Sequence, residues 1–110
     1  MDLTKLKRSR GGIRRVLTKT CNELTELFKD KENIDLVKCK ALLEVLDGHY
    51  ANLQKEDSVL YESLLAQENV KDEDIDEELD SQQEYNLKYH TVKKTYDSLF
   101  CSRWTFSSIC

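Results

Sequence analysis

Hydrophobic residues recur three and four positions apart along most of this chain of 110 residues, and that spacing predicts amphipathic α-helices. The clearest stretch covers residues 34–67, where a single apolar stripe is interrupted only by Asp57. The stripe consists of Leu36, Cys39, Leu43, Leu46, Tyr50, Leu53, Leu60 and Leu64. A second, partial stripe widens this face, and it consists of Leu42, Val45, Val59, Tyr61 and Leu65. A face this wide requires at least two neighbouring helices.

The N-terminal part of the chain has a heptad pattern of its own, made by Leu3, Leu6, Ile13, Leu17, Leu24 and Leu27. Arg10 and Thr20 occupy positions of this pattern that are otherwise apolar. Gly11 and Gly12 fall inside it, and each glycine in a helix interior costs about 0.8–1 kcal/mol relative to alanine. We therefore expect a helix that forms firmly only from Gly12 onward, with residues 1–10 frayed or ordered only by a partner. The alternative is that the two glycines permit a close backbone approach or a hinge.

Two short polar breaks divide the chain into three helices. The break at residues 30–33 offers Asn33 as the N-cap of the central helix, and the break at residues 68–71 is followed by Asp72 and Asp74, either of which can cap the third. Connections this short place consecutive helices side by side and antiparallel. The sequence thus predicts an all-α fold, an elongated antiparallel three-helix bundle or coiled coil. Its elements are helices near 3–29, 34–68 and 72–99, within a domain over 1–99, and a tail over 100–110.

The third helix carries an apolar stripe made by Ile75, Leu79, Tyr85, Tyr89, Val92, Tyr96 and Leu99. We expect its tyrosines, with Tyr50, to pack on the core while their hydroxyls reach the surface. Gly48, inside the central helix, is interpreted as relief of crowding on the outer face. Residues 100–110 carry a single charge, which suggests either a tail that folds back over an apolar face or an artificial or truncated end; we favour the second.

Charge is distributed unevenly although the net charge is only -4. Residues 1–20 contain seven Lys or Arg, whereas seven of the nine residues from 72 to 80 are acidic. Carboxylates are favoured in the first turn of a helix by the helix dipole, so the acidic run is interpreted as a solvated helix start. Because the first and third helices of an up-down-up bundle start at the same end, we expect the acidic run to lie beside the basic segment.

Motifs of enzymatic chemistry are missing from the sequence. It has no glycine-rich phosphate loop, no nucleophile elbow, no His-Glu-x-x-His and no aspartic-protease motif. The four cysteines have no zinc-ligand spacing and are expected to be free thiols; they are Cys21, Cys39, Cys101 and Cys110. His49 and His90 have no partner residue nearby in the sequence, so we expect surface or partly packed roles for them. We expect no enzyme, no catalytic residue, no cofactor, no metal and no small-molecule substrate.

Two surfaces are candidates for binding. The first lies at the end of the central helix, which should extend beyond the first helix and expose Leu60, Tyr61, Leu64 and Leu65. We expect a second copy or a partner helix there, in an association that salt strengthens by screening the nearby acidic run. The second consists of candidate RNA contacts on the first helix, namely Lys5, Lys7, Arg8, Arg10, Arg14 and Arg15. No apolar stretch has the length of a secretory signal or a membrane span, so we expect an intracellular protein, in the cytoplasm or the nucleus, that makes no membrane contact.

The run of residues 6–18, Leu-Lys-Arg-Ser-Arg-Gly-Gly-Ile-Arg-Arg-Val-Leu-Thr, resembles a known opening motif. The motif, Arg-Gly-x-(Ile/Leu)-(Lys/Arg)-x-x-(Leu/Val)-Thr, opens an N-terminal domain of unknown function in BEL/Pao-type LTR retrotransposon polyproteins. The similarity extends over about residues 5–99, through the leucine-rich second helix with Tyr50 and the third segment with Glu84, Tyr85 and Tyr89.

This resemblance implies a helical, self-associating, Gag-like structural region placed ahead of a zinc knuckle, an aspartic protease and a reverse transcriptase. None of those three motifs occurs in the 110 residues, so the chain would be a fragment or a stand-alone derivative of such an element. The alternative function is that of a cellular coiled-coil adaptor or chaperone-like bundle that binds a partner helix. A third possibility is an RNA-binding module that uses the basic first helix.

Overall fold

A computed structural model describes residues 3–30 and 32–101, and three helices account for most of them. Helix α1 spans Leu3–Lys29, α2 spans Leu36–Leu65 and α3 spans Asp72–Cys101. They pack lengthwise into a body of 55 × 25 × 18 Å, and the described residues contain no strand. The prediction of an all-α, elongated three-helix bundle is confirmed.

Side-chain contacts between the helices show an up-down-up arrangement. Ser9, early in α1, donates a hydrogen bond of 2.9 Å to Glu56, late in α2, so these two helices are antiparallel. Phe28, late in α1, contacts Tyr96, late in α3, with ring centroids 6.5 Å apart, so α1 and α3 are parallel. We call the end that contains Phe28 and Tyr96 the aromatic end. The opposite end, which contains Arg10 and Glu56, is called the ionic end.

The core is continuous from the aromatic end to the middle of the bundle. Its fully buried leucines are Leu17, Leu24, Leu46 and Leu53, and Cys21, Cys39, Tyr89 and Val92 pack with them. Burying one such leucine side chain contributes about 1.5–3 kcal/mol. Leu6, Leu60 and Leu64 are also buried, but they lie outside this cluster, toward the far tip of the ionic end. The interior therefore has two apolar parts with a break between them.

Helix α2 begins two residues later than predicted because a different residue caps it. Asp35, not Asn33, is the N-cap, and its carboxylate accepts a hydrogen bond of 3.0 Å from the backbone N–H of Lys38. The backbone N–H of Asn33 instead donates to the side chain of Asp30 within the connection. The helix also ends at Leu65, three residues before the predicted end.

Helix α3 follows α2 after a short connection and starts at the predicted residue. The carbonyl oxygen of Lys71 accepts the first hydrogen bonds, from the N–H groups of Asp74 and Ile75. Asp72 and Asp74 therefore lie inside the first turn and are not caps, although both are favoured there by the helix dipole.

At its two outer limits the bundle is more firmly helical, or longer, than the sequence indicated. α1 runs unbroken through Gly11 and Gly12 from Leu3, so residues 3–10 are helical and not frayed. α3 continues to Cys101 because Phe100, only 4% exposed, packs edge-on against Phe28. The predicted tail over 100–110 therefore begins two residues too early, and its remaining part, residues 102–110, lies outside the described residues.

Gly48 does not relieve crowding, and that interpretation is wrong. A methyl group added at Gly48 would have no neighbouring atom within 4 Å. The glycine therefore stands on an open face of α2, where alanine would fit without any rearrangement.

Candidate interaction surfaces and a buried ionic layer

Four charged side chains from all three helices meet inside the ionic end and form the break in the core, here called the ionic layer. Arg10 of α1 donates hydrogen bonds from Nη1 to Glu78 of α3 and, over 3.3 Å, to Asp57 of α2. Arg14 places Nη2 3.9 Å from the same Asp57 oxygen and donates from Nη1 to Ser81, over 2.7 Å. The side chains of Arg10, Asp57 and Glu78 are each less than 10% exposed. Two positive and two negative charges thus balance one another away from water.

Neighbouring side chains connect the ionic layer to its surroundings. Gln82 donates from its amide nitrogen to Glu78, over 2.6 Å, and to the backbone carbonyl of Asp57, over 3.3 Å. The guanidinium carbon of Arg14 lies 4.4 Å from the centre of the Tyr85 ring, which is a cation–π contact. These contacts offset part of the free-energy cost of removing the charges from water.

The pKa values of the ionic layer follow from burial and pairing. Burial raises the pKa of Glu78, but the hydrogen bonds from Arg10 and Gln82 outweigh it and hold that pKa below its ordinary 4.5. Burial raises the pKa of Asp57 above its ordinary 3.8 and outweighs the attraction of both arginines. Burial, followed by the charge of Arg10, lowers the pKa of Arg14. Glu78 is therefore the carboxylate that Arg10 stabilises most.

The arrangement of the ionic layer suits the alignment of the three helices better than it suits a reaction. Its charged groups bind one another, and none titrates ordinarily near neutral pH. A sequence signal for part of it exists, because Arg10 and Asp57 both interrupt apolar stripes at similar distances from the turn between α1 and α2. Glu78 had no such signal, since it lies within an acidic run in which every member could have been solvated.

The candidate nucleic-acid residues do not all lie on the surface. Arg10 and Arg14 belong to the ionic layer, so they are not available to phosphates, and their assignment to that surface is corrected. The remaining four candidates have side chains that are exposed; they are Lys5, Lys7, Arg8 and Arg15. The basic segment and the acidic run do meet, as expected, through the pair of Arg10 and Glu78.

The apolar surface predicted at the end of α2 is largely closed within the chain. Leu60 is 0% exposed and Leu64 is 7% exposed, whereas Tyr61 is half-buried and Leu65 is 47% exposed. Leu3, at the start of α1, lines the same cavity as Leu64 together with Asp74 and Glu78 of α3, so α1 reaches beyond Leu60. Leu60 and Leu64 are therefore interior residues, and their assignment as an exposed partner surface is corrected.

A different apolar surface, here called the α1/α2 face, lies where these two helices meet on the side away from α3. An open groove of about 690 Å³ runs between them, with Leu6, Ile13 and Val59 among its lining residues. Lys5 and Lys55 also line it. Further along the outer side of α2, toward the aromatic end, Val45 is exposed by 48% and Val37 by 81%. Sequence reasoning placed Val45 and Val59 in the second stripe that neighbouring helices would cover, whereas the structure exposes both.

Stacked aromatic rings occupy the side of the bundle where α2 and α3 meet. Tyr50 and Tyr89 stack with ring centroids 3.8 Å apart, and His90 approaches both rings edge-on. The hydroxyl of Tyr89 donates to Asp47 and accepts from Lys93. Burial, reinforced by the bond to Asp47, raises the pKa of Tyr89, so the hydroxyl stays protonated and packs as part of the core.

Two cysteines lie in the core as free thiols, Cys21 at 2% exposure and Cys39 at 0%. Burial raises the pKa of both thiols, which makes them poor nucleophiles and poor metal ligands. The thiols of Cys101 and Cys110 are outside the described part of the chain.

Within residues 3–30 and 32–101, no group of three or more His, Cys, Asp or Glu side chains is placed to hold a metal ion. The helices of that same part of the chain include none that is long and apolar enough to cross a membrane. Comparisons with protein families, with curated proteins and with solved structures give no match. Function is therefore inferred from the fold and its surfaces.

Proposed function

We propose that this chain is a non-enzymatic helical interaction module that acts through helix–helix association and assembles with further copies of itself. The observation that supports this is the α1/α2 face, which exposes apolar side chains although the three helices already enclose a complete core. Exposed apolar surface beyond the needs of the core usually marks an interface.

The contrast between the two sides of α2 makes the point. On the inner side, Leu46 and Leu53 are fully buried. On the outer side, Val37 is almost entirely exposed and Val45 is about half exposed. Exposed valine gives a monomer no hydrophobic stabilisation, whereas covering about 100 Å² of apolar surface contributes roughly 2.5 kcal/mol. Association is the way in which these side chains can contribute.

The resemblance to the Gag-like region of BEL/Pao-type retrotransposon polyproteins is part of this proposal. It rests on the Arg-Gly opening at residues 10–18, and a self-associating helical structural unit agrees with the bundle and with its open apolar face. In that role the chain would act inside the cell as a building unit and not as a catalyst.

A second candidate is a cellular adaptor or chaperone-like bundle that binds the helix of another protein. The groove of the α1/α2 face favours a partner helix with acidic flanks, because Lys5 and Lys55 outnumber Glu56 among its charged lining residues. RNA binding is the third candidate and has the least support. It retains four exposed basic side chains, among them Arg8 and Arg15, but no exposed aromatic ring lies among them for base stacking.

Sedimentation equilibrium of the full chain, from low micromolar to near-millimolar concentration, tests the proposal. We expect the average mass to rise with concentration from that of a monomer. A mass that stays at 12.9 kDa throughout would overturn self-assembly and leave the adaptor as the better candidate.

A further inference from the structure

Gly48 lies in the middle of the outer side of α2, where nothing in the chain requires a glycine. Glycine is the poorest helix former after proline, and a side chain at this position would meet open space. Its backbone conformation is also ordinary, because no glycine among the described residues has a positive φ. Folding of the single chain therefore gives no reason for glycine here. A glycine on an open helix face does permit the backbone of another helix to approach closely.

The residues around Gly48 form one exposed stripe along α2. Positions 37, 41, 45, 48, 52 and 59 recur at helical spacing, and the structure exposes all of them. Val37, Val45 and Val59 supply branched apolar side chains, while Ala41 and Gly48 leave the backbone accessible. The stripe adjoins the groove beside α1, which Asn52 and Val59 also line.

Charges beside the stripe suit an antiparallel copy of the same helix. Two identical helices related by a two-fold axis bring together residues that lie at equal distances on either side of that axis. With the axis between Gly48 and Ala51, Glu44 of one copy meets Lys55 of the second, and the pair occurs twice. Both side chains are exposed, and the ion pairs among the described residues include neither of them.

We propose that α2 is the self-association surface, and that two copies pack their α2 helices antiparallel across Gly48, with Glu44 of each copy paired to Lys55 of the other. This inference rests on the proposed function and identifies the surface through which it acts. Ala41 of one copy and Val59 of the other then lie close together, offset by one residue along the helices, and the groove beside α1 contributes the flank of the interface.

The effect of salt on association distinguishes this surface from the one at the end of α2. Association through paired opposite charges weakens as salt screens their attraction. Association through Tyr61 and Leu65 beside the acidic run would strengthen, since salt screens carboxylate repulsion there. We therefore expect the dissociation constant of the full chain to rise with salt.

Charge reversal provides the sharpest test. Glu44→Lys and Lys55→Glu should each weaken association by about tenfold, because each variant places two like-charged pairs in the interface. The double variant, Glu44→Lys with Lys55→Glu, should restore the original affinity. Asp80→Lys and Lys94→Glu make the same charge changes on exposed positions of α3 and should leave the dissociation constant unchanged.

Gly48→Ala adds a readout in which monomer stability and association move in opposite directions. Alanine should raise the midpoint of thermal unfolding at concentrations where the chain is monomeric, and it should weaken association by separating the two backbones. A chain that associates, but in which the α2 reversals match the α3 controls, would overturn this surface and leave the proposed function standing. A chain that never associates would overturn the proposed function, and this inference with it.

Discussion

The two ends of the bundle are held together by opposite means. At the aromatic end, Phe28, Tyr96 and Phe100 join the leucine core through apolar contact, which stabilises without requiring one alignment of the helices. At the ionic end, Arg10 must reach Asp57 and Glu78 together, and a shift of any helix by one residue would separate them. Apolar contact therefore dominates at the aromatic end, whereas the ionic end also restricts how the three helices align.

The ionic layer adds less stability than the number of its contacts suggests. Removing charged groups from water costs several kcal/mol for each ion, and pairing recovers that cost only when the geometry is good. Its effect on alignment is stronger, because a misaligned bundle would leave a charge buried without a partner. The same layer explains why Leu6, Leu60 and Leu64 form an apolar group separate from the core.

The largest effect is expected from a charge placed in the leucine core. Leu46→Asp removes a fully buried side chain and puts an unpaired carboxylate in its place, so the domain should unfold. Circular dichroism should show loss of helicity at room temperature. Val37→Asp introduces the same group on the exposed side of α2 and should leave the helicity intact. Unchanged helicity and an unchanged thermal midpoint in Leu46→Asp would contradict this account of the core.

A smaller but still large effect is expected at the ionic layer. Arg10→Ala leaves Asp57 and Glu78 buried without their main partner, and the loss of one member of such a network costs about 3–5 kcal/mol. Urea unfolding measures this change in the free energy of unfolding. Arg8→Ala, on the exposed side of the same helix, is the matched control and should change it by less than about 0.5 kcal/mol. Equal effects of the two variants would show that the ionic layer has no special role.

Most of the fold could be predicted from the sequence, because it depends on the spacing of apolar residues. The firm helix before Gly12 could not, since the helix-propensity cost of Gly11 and Gly12 is local whereas the packing that compensates for it is tertiary. Leu6, at 7% exposure, gains hydrophobic stabilisation only when the bundle forms, and this offsets the glycines. Leu64 was expected to be exposed for a different reason, because α1 was expected to reach only as far as Leu60 even from Leu3.

Only part of the ionic layer could be predicted from the sequence, for a related reason. A polar residue in an apolar stripe, such as Arg10 or Asp57, signals a buried partner without identifying it. Glu78 could be recognised as that partner only once three helices were placed side by side. The open face around Gly48 could not be predicted from the sequence either, since the exposure of these residues depends on where the neighbouring helices lie.

Lowering the pH should change the free energy of unfolding in opposite directions through the two carboxylates of the ionic layer. The pKa of Glu78 is below 4.5 in the folded chain, so the folded state binds fewer protons than the unfolded state there, and stability falls as pH drops through the folded value. Glu78→Gln should therefore cost about 2 kcal/mol at neutral pH and progressively less below pH 4.5. Urea unfolding of both proteins across this range measures the difference. A difference that stays constant with pH would contradict the pairing.

Protonation of Asp57 changes the free energy of unfolding in the opposite direction. Its pKa is raised above 3.8, so the folded state binds more protons than the unfolded state in that window, and stability rises as pH falls through it. In the parent chain the effects of the two carboxylates on the pH dependence of stability partly cancel. Asp57→Asn should consequently make the acid loss of stability steeper than in the parent, which the same titration would show.

The smallest expected effect distinguishes two roles for the glycines at the ionic end. A methyl group at Gly12 would lie 3.7 Å from the Arg15 guanidinium, an ordinary contact with the tip of a flexible side chain. Because alanine favours helix by about 0.8–1 kcal/mol, Gly12→Ala should stabilise the monomer by about that amount. Gly48→Ala, measured at monomeric concentration, should give a similar gain and serves as the reference. Destabilisation by Gly12→Ala alone would show that the ionic end needs a hinge or a close backbone approach there, whereas equal gains mean that neither glycine is required by the fold of the single chain.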